Sequence, residues 1–140
     1  MGAKYINIEL EVRAHTDLHP LLQALGDRFS MNYCGALESG LHLLAGALAG
    51  SELSDEVSPD ATANGLCELI EKLPIASRKL WDSAEDRVFD VGFDANAEPG
   101  YGVNLFSPTT LARMAKINAR LAVSIYTYDL AETKKHGTCS

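Results

Sequence analysis

The sequence predicts an α+β fold: a mixed, mainly antiparallel sheet of about six strands in the order β-α-β-β-α-α-β-β-α-β, with helices packed against it. Three observations predict it. Residues 5–13 alternate strictly, with Ile6, Ile8, Leu10 and Val12 on one face and Tyr5, Asn7, Glu9, Glu11 and Arg13 on the other. That is the period of a half-buried strand. Ser58-Pro59 and Ser107-Pro108 each join a capping residue to a proline at the first helical position, and each opens an apolar stripe at helical spacing. The connections between periodic segments are short, as expected of one compact pair of layers.

After the first strand, Asp17 can cap a short helix with Pro20 in its first turn and Leu21, Leu22 and Leu25 facing inward; Gly26 supplies the left-handed stop. A strand at 28–34 follows, with Phe29, Met31 and Tyr33 on one face. The segment 41–48 is rich in Leu and Ala and suits helix or strand, but its Gly-rich approach favours a hairpin, so it is read as a strand. Leu66, Leu69, Ile70 and Leu73 give the inner stripe of a helix at 59–73; Pro74 breaks it, and a second helix at 75–86 is expected to form a helical hairpin with the first. RVFDVGFDA and YGVNLFS read as an antiparallel pair at 87–94 and 101–107. A helix with Leu111, Met114 and Ile117 inward then stops at Asn118, and RLAVSIYTYD closes the fold. The two runs LLQALGDRFSMNY and ARMAKINARLAVSIY echo one another: helix, left-handed stop at Gly26 or Asn118, then an arginine before an alternating strand.

The chain has 140 residues, 46% apolar and 22% charged, which suits one globular domain, placed at 1–132 with a flexible tail at 133–140. The N-terminus shows no apolar core of a signal peptide, so a cytoplasmic location is expected. Cys34 and Cys67 read as buried thiols, and Cys139 lies in the tail. The net charge of -7 is concentrated: residues 52–98 hold twelve acids against four bases, and the rest of the chain seven against eight. Such a balance argues against nucleic acid, which requires a basic stripe, and suits a basic protein partner.

Candidate chemistry is sparse. His15, Asp17 and His19 form HTDLH, but the histidines straddle a strand end and a helix start, and Asp17 is better explained as a cap. No G-x-S-x-G turn singles out a nucleophile, and the glycines at 35, 40, 46 and 50 do not form a phosphate loop. No metal, cofactor or catalytic residue is assigned. The acidic residues remain: Glu52, Asp55 and Glu56 in a polar loop, and Asp82, Glu85, Asp86, Asp90 and Asp94 in and before RVFDVGFD. On a strand, Asp90 and Asp94 share a face with Val88 and Gly92, opposite Phe89, Val91 and Phe93. These eight acids are the expected partner-binding residues.

ELIEKLPIASRKLWDSAEDRVFDVGFDA and LFSPTTLARMAKINARLAVSIY resemble small stand-alone bacterial domains of unknown function, mainly over residues 66–126. In those domains a W-D segment precedes an F-D-[IV]-G strand, and an S-P-x-x-L-A-R helix leads into the closing strand. Small acidic α+β proteins of this kind resemble the immunity proteins that neutralise bacterial toxins. The resemblance implies a non-enzymatic module that occludes a toxin domain. Two other expectations remain open: a small enzyme or ligand-binding domain with a pocket between the helical hairpin and the sheet, using His15, His19 or Asp90, and a homodimer joined through 41–48.

Overall fold

The alternating N-terminal segment becomes β1 (Lys4–Ala14), the central strand of a five-stranded sheet in the computed structural model, which describes residues 4–51, 58–94 and 105–126. β3 (His42–Leu48) and β4 (Asp86–Asp94) flank it, both antiparallel. The edges are β2 (Phe29–Ala36), antiparallel to β3, and β5 (Arg120–Tyr126), parallel to β4. Four helices, α1 (His19–Leu25), α2 (Pro59–Glu71), α3 (Ile75–Asp82) and α4 (Pro108–Lys116), pack on one face. Ile8, Leu10 and Val12 of β1 meet Phe89 and Val91 of β4 there, beneath Leu21, Leu66, Ile70, Trp81 and Met114 of the helices. Among the described residues, the opposite face carries no helix.

The starts of α2 and α4 follow the sequence. Ser58 Oγ accepts the Ala61 N–H at 3.1 Å and Ser107 Oγ the Thr110 N–H at 3.2 Å, each ahead of a proline. The expected cap of α1 differs: its N-cap is Leu18, without a side-chain cap bond, and Asp17 stands one residue earlier, its Oδ1 accepting the His19 N–H at 3.1 Å. Gly26 and Asn118 both take positive φ, 73° and 57°. After Asn118, the Ala119 N–H reaches Met114 O and the Asn118 N–H reaches Ala115 O, both at 3.0 Å, which is the paired C-terminal bonding of a Schellman motif. Each left-handed stop precedes an edge strand, so the internal echo corresponds to the two ends of the sheet.

Several expected features differ. Between Tyr5 and Asn7 a bulge inserts one residue against β4, so the alternation changes phase. Tyr5 packs on the core, edge-on to Phe93 with ring centroids 6.4 Å apart, and Ile6 is exposed. A second bulge between Met31 and Tyr33 turns Tyr33 to the face opposite Phe29 and Met31; Phe29 is buried, and Met31 and Tyr33 are exposed. Cys67 is buried, but Cys34 is only half-buried on the edge strand. α2 and α3 do not form a hairpin: Pro74, with extended backbone (φ -57°, ψ 156°), redirects the chain, so that α2 packs on α4 and β1 whereas α3 packs on α1.

The expected pairing of 87–94 with 101–107 also has no place, because β4 is bonded along its length to β1 on one side and β5 on the other. Residues 105–107 are not strand, and 101–104 lie outside the described residues. The expected dimer seam at 41–48 is likewise closed: the segment is a strand, but β1 and β2 flank it. Among the described residues, no helix is long and apolar enough to cross a membrane.

Two glycines let the layers close. A Cβ on Gly46 would overlap the Ser30 carbonyl oxygen and lie 2.6 Å from the Phe29 ring. A Cβ on Gly65 in α2 would lie 2.5 Å from a Leu48 methyl, which can rotate aside. Gly46→Ala is therefore expected to cost about 3 kcal/mol of stability through overpacking. Gly65→Ala is expected to be near neutral, with a helix-propensity gain of about 1 kcal/mol offsetting the rearrangement of Leu48. Urea unfolding of both variants checks the contrast.

Candidate functional site

The face of the sheet away from the helices concentrates carboxylates. β1 presents Asn7, Glu9, Glu11 and Arg13 outward, because Ile8, Leu10 and Val12 are committed to the core. The antiparallel register then sets Glu9 opposite Asp90 and Arg13 opposite Asp86. The sheet therefore joins two acidic strands that are far apart in sequence. At the described positions of this face the five acids Glu9, Glu11, Asp86, Asp90 and Asp94 outnumber the three bases, Lys4 opposite Asp94 in the register, Arg13 and Arg120.

Hydrogen bonds order the group. Asn32 of β2 donates to Glu9 Oε2 at 3.2 Å, and Arg13 reaches Glu11 Oε1 at 3.1 Å. Ser124 Oγ lies 2.8 Å from both oxygens of Asp90. Arg120 binds Asp86 through two nitrogens, at 3.2 and 2.6 Å. Between the acids the floor is lined by small or short side chains: Ala45, Ala47, Val88 and Gly92 are buried on it. Gly92 has a specific reason to lack a side chain, since a Cβ there would lie 3.2 Å from the Tyr126 ring and 3.4 Å from Asn7 Oδ1. Tyr126 and Tyr33, both exposed, rise from the two edge strands on either side of the carboxylates.

The electrostatic centre is Glu9. Partial burial pushes its carboxyl up to about 7, reinforced by a hydrogen bond and like-charge repulsion from Glu11 and by the charge of Asp90, and opposed by the Asn32 amide. A carboxyl whose folded pKa exceeds its ordinary value of 4.5 supports the fold fully below that value and loses its contribution as pH rises through 7. Glu9→Gln is thus expected to raise the melting temperature by a few degrees at about pH 8 and to leave it unchanged at about pH 4. Thermal melts of the two proteins at both pH values check this.

The acids expected from sequence are only partly brought together. Asp86, Asp90 and Asp94 lie on the open face. Glu85 sits at its rim, 2.9 Å from His15 Nε2, with its own N–H bonded to Arg13 O. Asp82 ends α3 on the helical side of the sheet and pairs with Arg78 at 3.1 Å. Glu52, Asp55 and Glu56 lie outside the described residues. Glu9 and Glu11 were not among the expected site residues. Their common face was visible in the alternation of 5–13, but their position beside Asp90 depends on a pairing across some eighty residues of sequence, which no local pattern carries.

The residues offered for a pocket do not converge. His19 Nδ1 lies 2.6 Å from Asp17 Oδ1 and His15 meets Glu85, all exposed, while Asp90 points away from the helices. Between helices and sheet, Trp81, Leu66 and Ile70 fill the space. A cavity of about 430 Å³ does open where the N-termini of α2 and α4 meet, lined by Ser58, Asp60, Leu105, Phe106 and Ser107. Asp60 Oδ1 there accepts the Ser107 N–H at 2.8 Å, a bond that holds its carboxyl below the usual range, so the helix start already has its anion. Among the described residues, no three His, Cys, Asp or Glu side chains are placed to hold a metal ion. No protein-family model, curated protein or solved structure matches the chain.

Proposed function

We propose that the protein is a non-enzymatic binding module that docks a basic protein surface on its open sheet face, most concretely an immunity protein that occludes a bacterial toxin domain. The observation that carries this reading is the juxtaposition of Glu9 with Glu11 and Asp90 on the sheet face away from the described helices. Holding carboxylates together opposes folding, and sites that retain such a conflict are commonly functional. A cationic side chain from a partner would relieve it. Tyr33 and Tyr126 add the residue type that anchors protein interfaces, large in area and restricted in rotamers. The concentrated negative charge would steer a basic partner to the face and reject acidic ones.

Proton linkage follows from the same geometry. A partner's Lys or Arg beside Glu9 lowers its pKa on binding, so a proton is released. Affinity is expected to rise with pH up to about 7, by at most about tenfold per unit, and to level off above. The test is titration calorimetry of the purified protein against the product of the adjacent reading frame in its native host, at several salt concentrations. Binding that weakens steeply with salt supports the reading; no binding at low salt overturns the assignment as an immunity protein.

A further inference from the structure

We propose that β5 is a dimer seam, at which a second copy of the chain adds its own β5 antiparallel across a twofold axis at Val123. One edge of β5 bonds to β4 through seven consecutive register pairs, and among the described residues no strand occupies the other. Its helix-side residues Leu121, Val123 and Ile125 are 42%, 50% and 62% exposed. Sheet edges that remain single are usually blunted by a bulge, a proline or a lysine. The other edge, β2, follows that rule with the bulge between Met31 and Tyr33. β5 has no break in its register and no proline, and its one charged residue, Arg120, stands at its first position and is held by Asp86.

The occupant follows from the apolar row of the strand, since Leu121 and Ile125 are aliphatic residues spaced equally on either side of Val123. Antiparallel pairing on that axis sets Leu121 against the partner's Ile125 and Val123 against its own copy, which buries the apolar row against itself. On the other face Ala122 meets Ser124, and Arg120 meets Tyr126, the residue beside Asp94 in the β4 register. No like charges oppose each other across the seam, and the cation of each copy arrives at an aromatic ring next to a carboxylate. A ten-stranded sheet results, with the two acidic faces on the same side. This inference is independent of the identity of any toxin partner.

Sedimentation velocity of the full chain from low to high micromolar concentration tests it. The expected result is a monomer–dimer equilibrium that Val123→Lys weakens by about tenfold or more, because two ammonium groups then meet at the axis. Met31→Lys, on the other edge, is expected to leave the equilibrium unchanged. If circular dichroism shows that Val123→Lys does not fold, Val123→Thr, which keeps the branched side chain, is expected to give a smaller weakening. A protein that stays monomeric throughout, or a dimer that responds to Met31→Lys and not to the Val123 variants, overturns the proposal.

Discussion

Trp81→Ala is expected to lower the unfolding free energy by about 3–5 kcal/mol, the range for removing a large buried aromatic side chain, and to leave much of the protein unfolded at ordinary temperature. Trp81 is fully buried at the end of α3, and its Nε1 donates to the Ile117 carbonyl at 2.8 Å. That carbonyl is one of those left open at the end of α4, so the indole joins two helices that β4 separates in the chain. Arg87 works beside it: its Nε reaches Asn118 O at 3.1 Å, and its NH1 reaches Trp81 O and Ala84 O at 3.0 and 2.8 Å. Loss of Trp81 therefore empties volume and leaves a buried acceptor unpaired. Trp81→Phe retains most of the apolar area, so its cost is expected to be about 1–3 kcal/mol, chiefly the unsatisfied carbonyl. Denaturant unfolding of both variants gives the two values.

The second large effect concerns binding. The double variant Glu9→Lys, Asp90→Lys is expected to weaken binding of a basic partner by about a hundredfold or more, since like charges then face the cations that the site receives. The fold is expected to survive, because the substitutions break up a group of like charges on a partly solvated face and the pairs they remove are hydrogen bonds to Asn32 and Ser124. Asp82→Lys is the comparison. It makes one acid-to-lysine change on the helical side, where Asp82 answers to Arg78, and is expected to reduce affinity only slightly at physiological salt.

The elements legible in the sequence are those with local causes. Ser58-Pro59 and Ser107-Pro108 started helices because a hydroxyl and a fixed φ act within one turn. Gly26 and Asn118 stopped them for the same kind of reason. Within RVFDVGFD, Phe89, Val91 and Phe93 entered the core and Asp90 the open face, as a period of two requires. The features that escaped depend on neighbours distant in the chain. A bulge is defined by the partner strand, so the phase changes at Ile6 and at Asn32 left no local mark. Likewise YGVNLFS looked like the partner of β4, but β1 and β5 hold both of its edges.

The acidic site divides along the same line. Asp90 and Asp94 were visible as a carboxylate row. Glu9 and Glu11, which make that row electrostatically unusual, enter only through the β1–β4 register. Asp82, close to Asp86 in sequence, is carried to the other side of the sheet by the end of α3.

The most direct measurement is an NMR titration of isotopically labelled protein with the basic partner recovered at low salt. Docking on the open face is expected to shift Glu9, Glu11, Tyr33, Asp90 and Tyr126 first and most strongly, and to leave Ile75 and Leu111 on the helical side unmoved. Shifts confined to α3 and α4, with the carboxylates of β1 and β4 unchanged, would contradict the account.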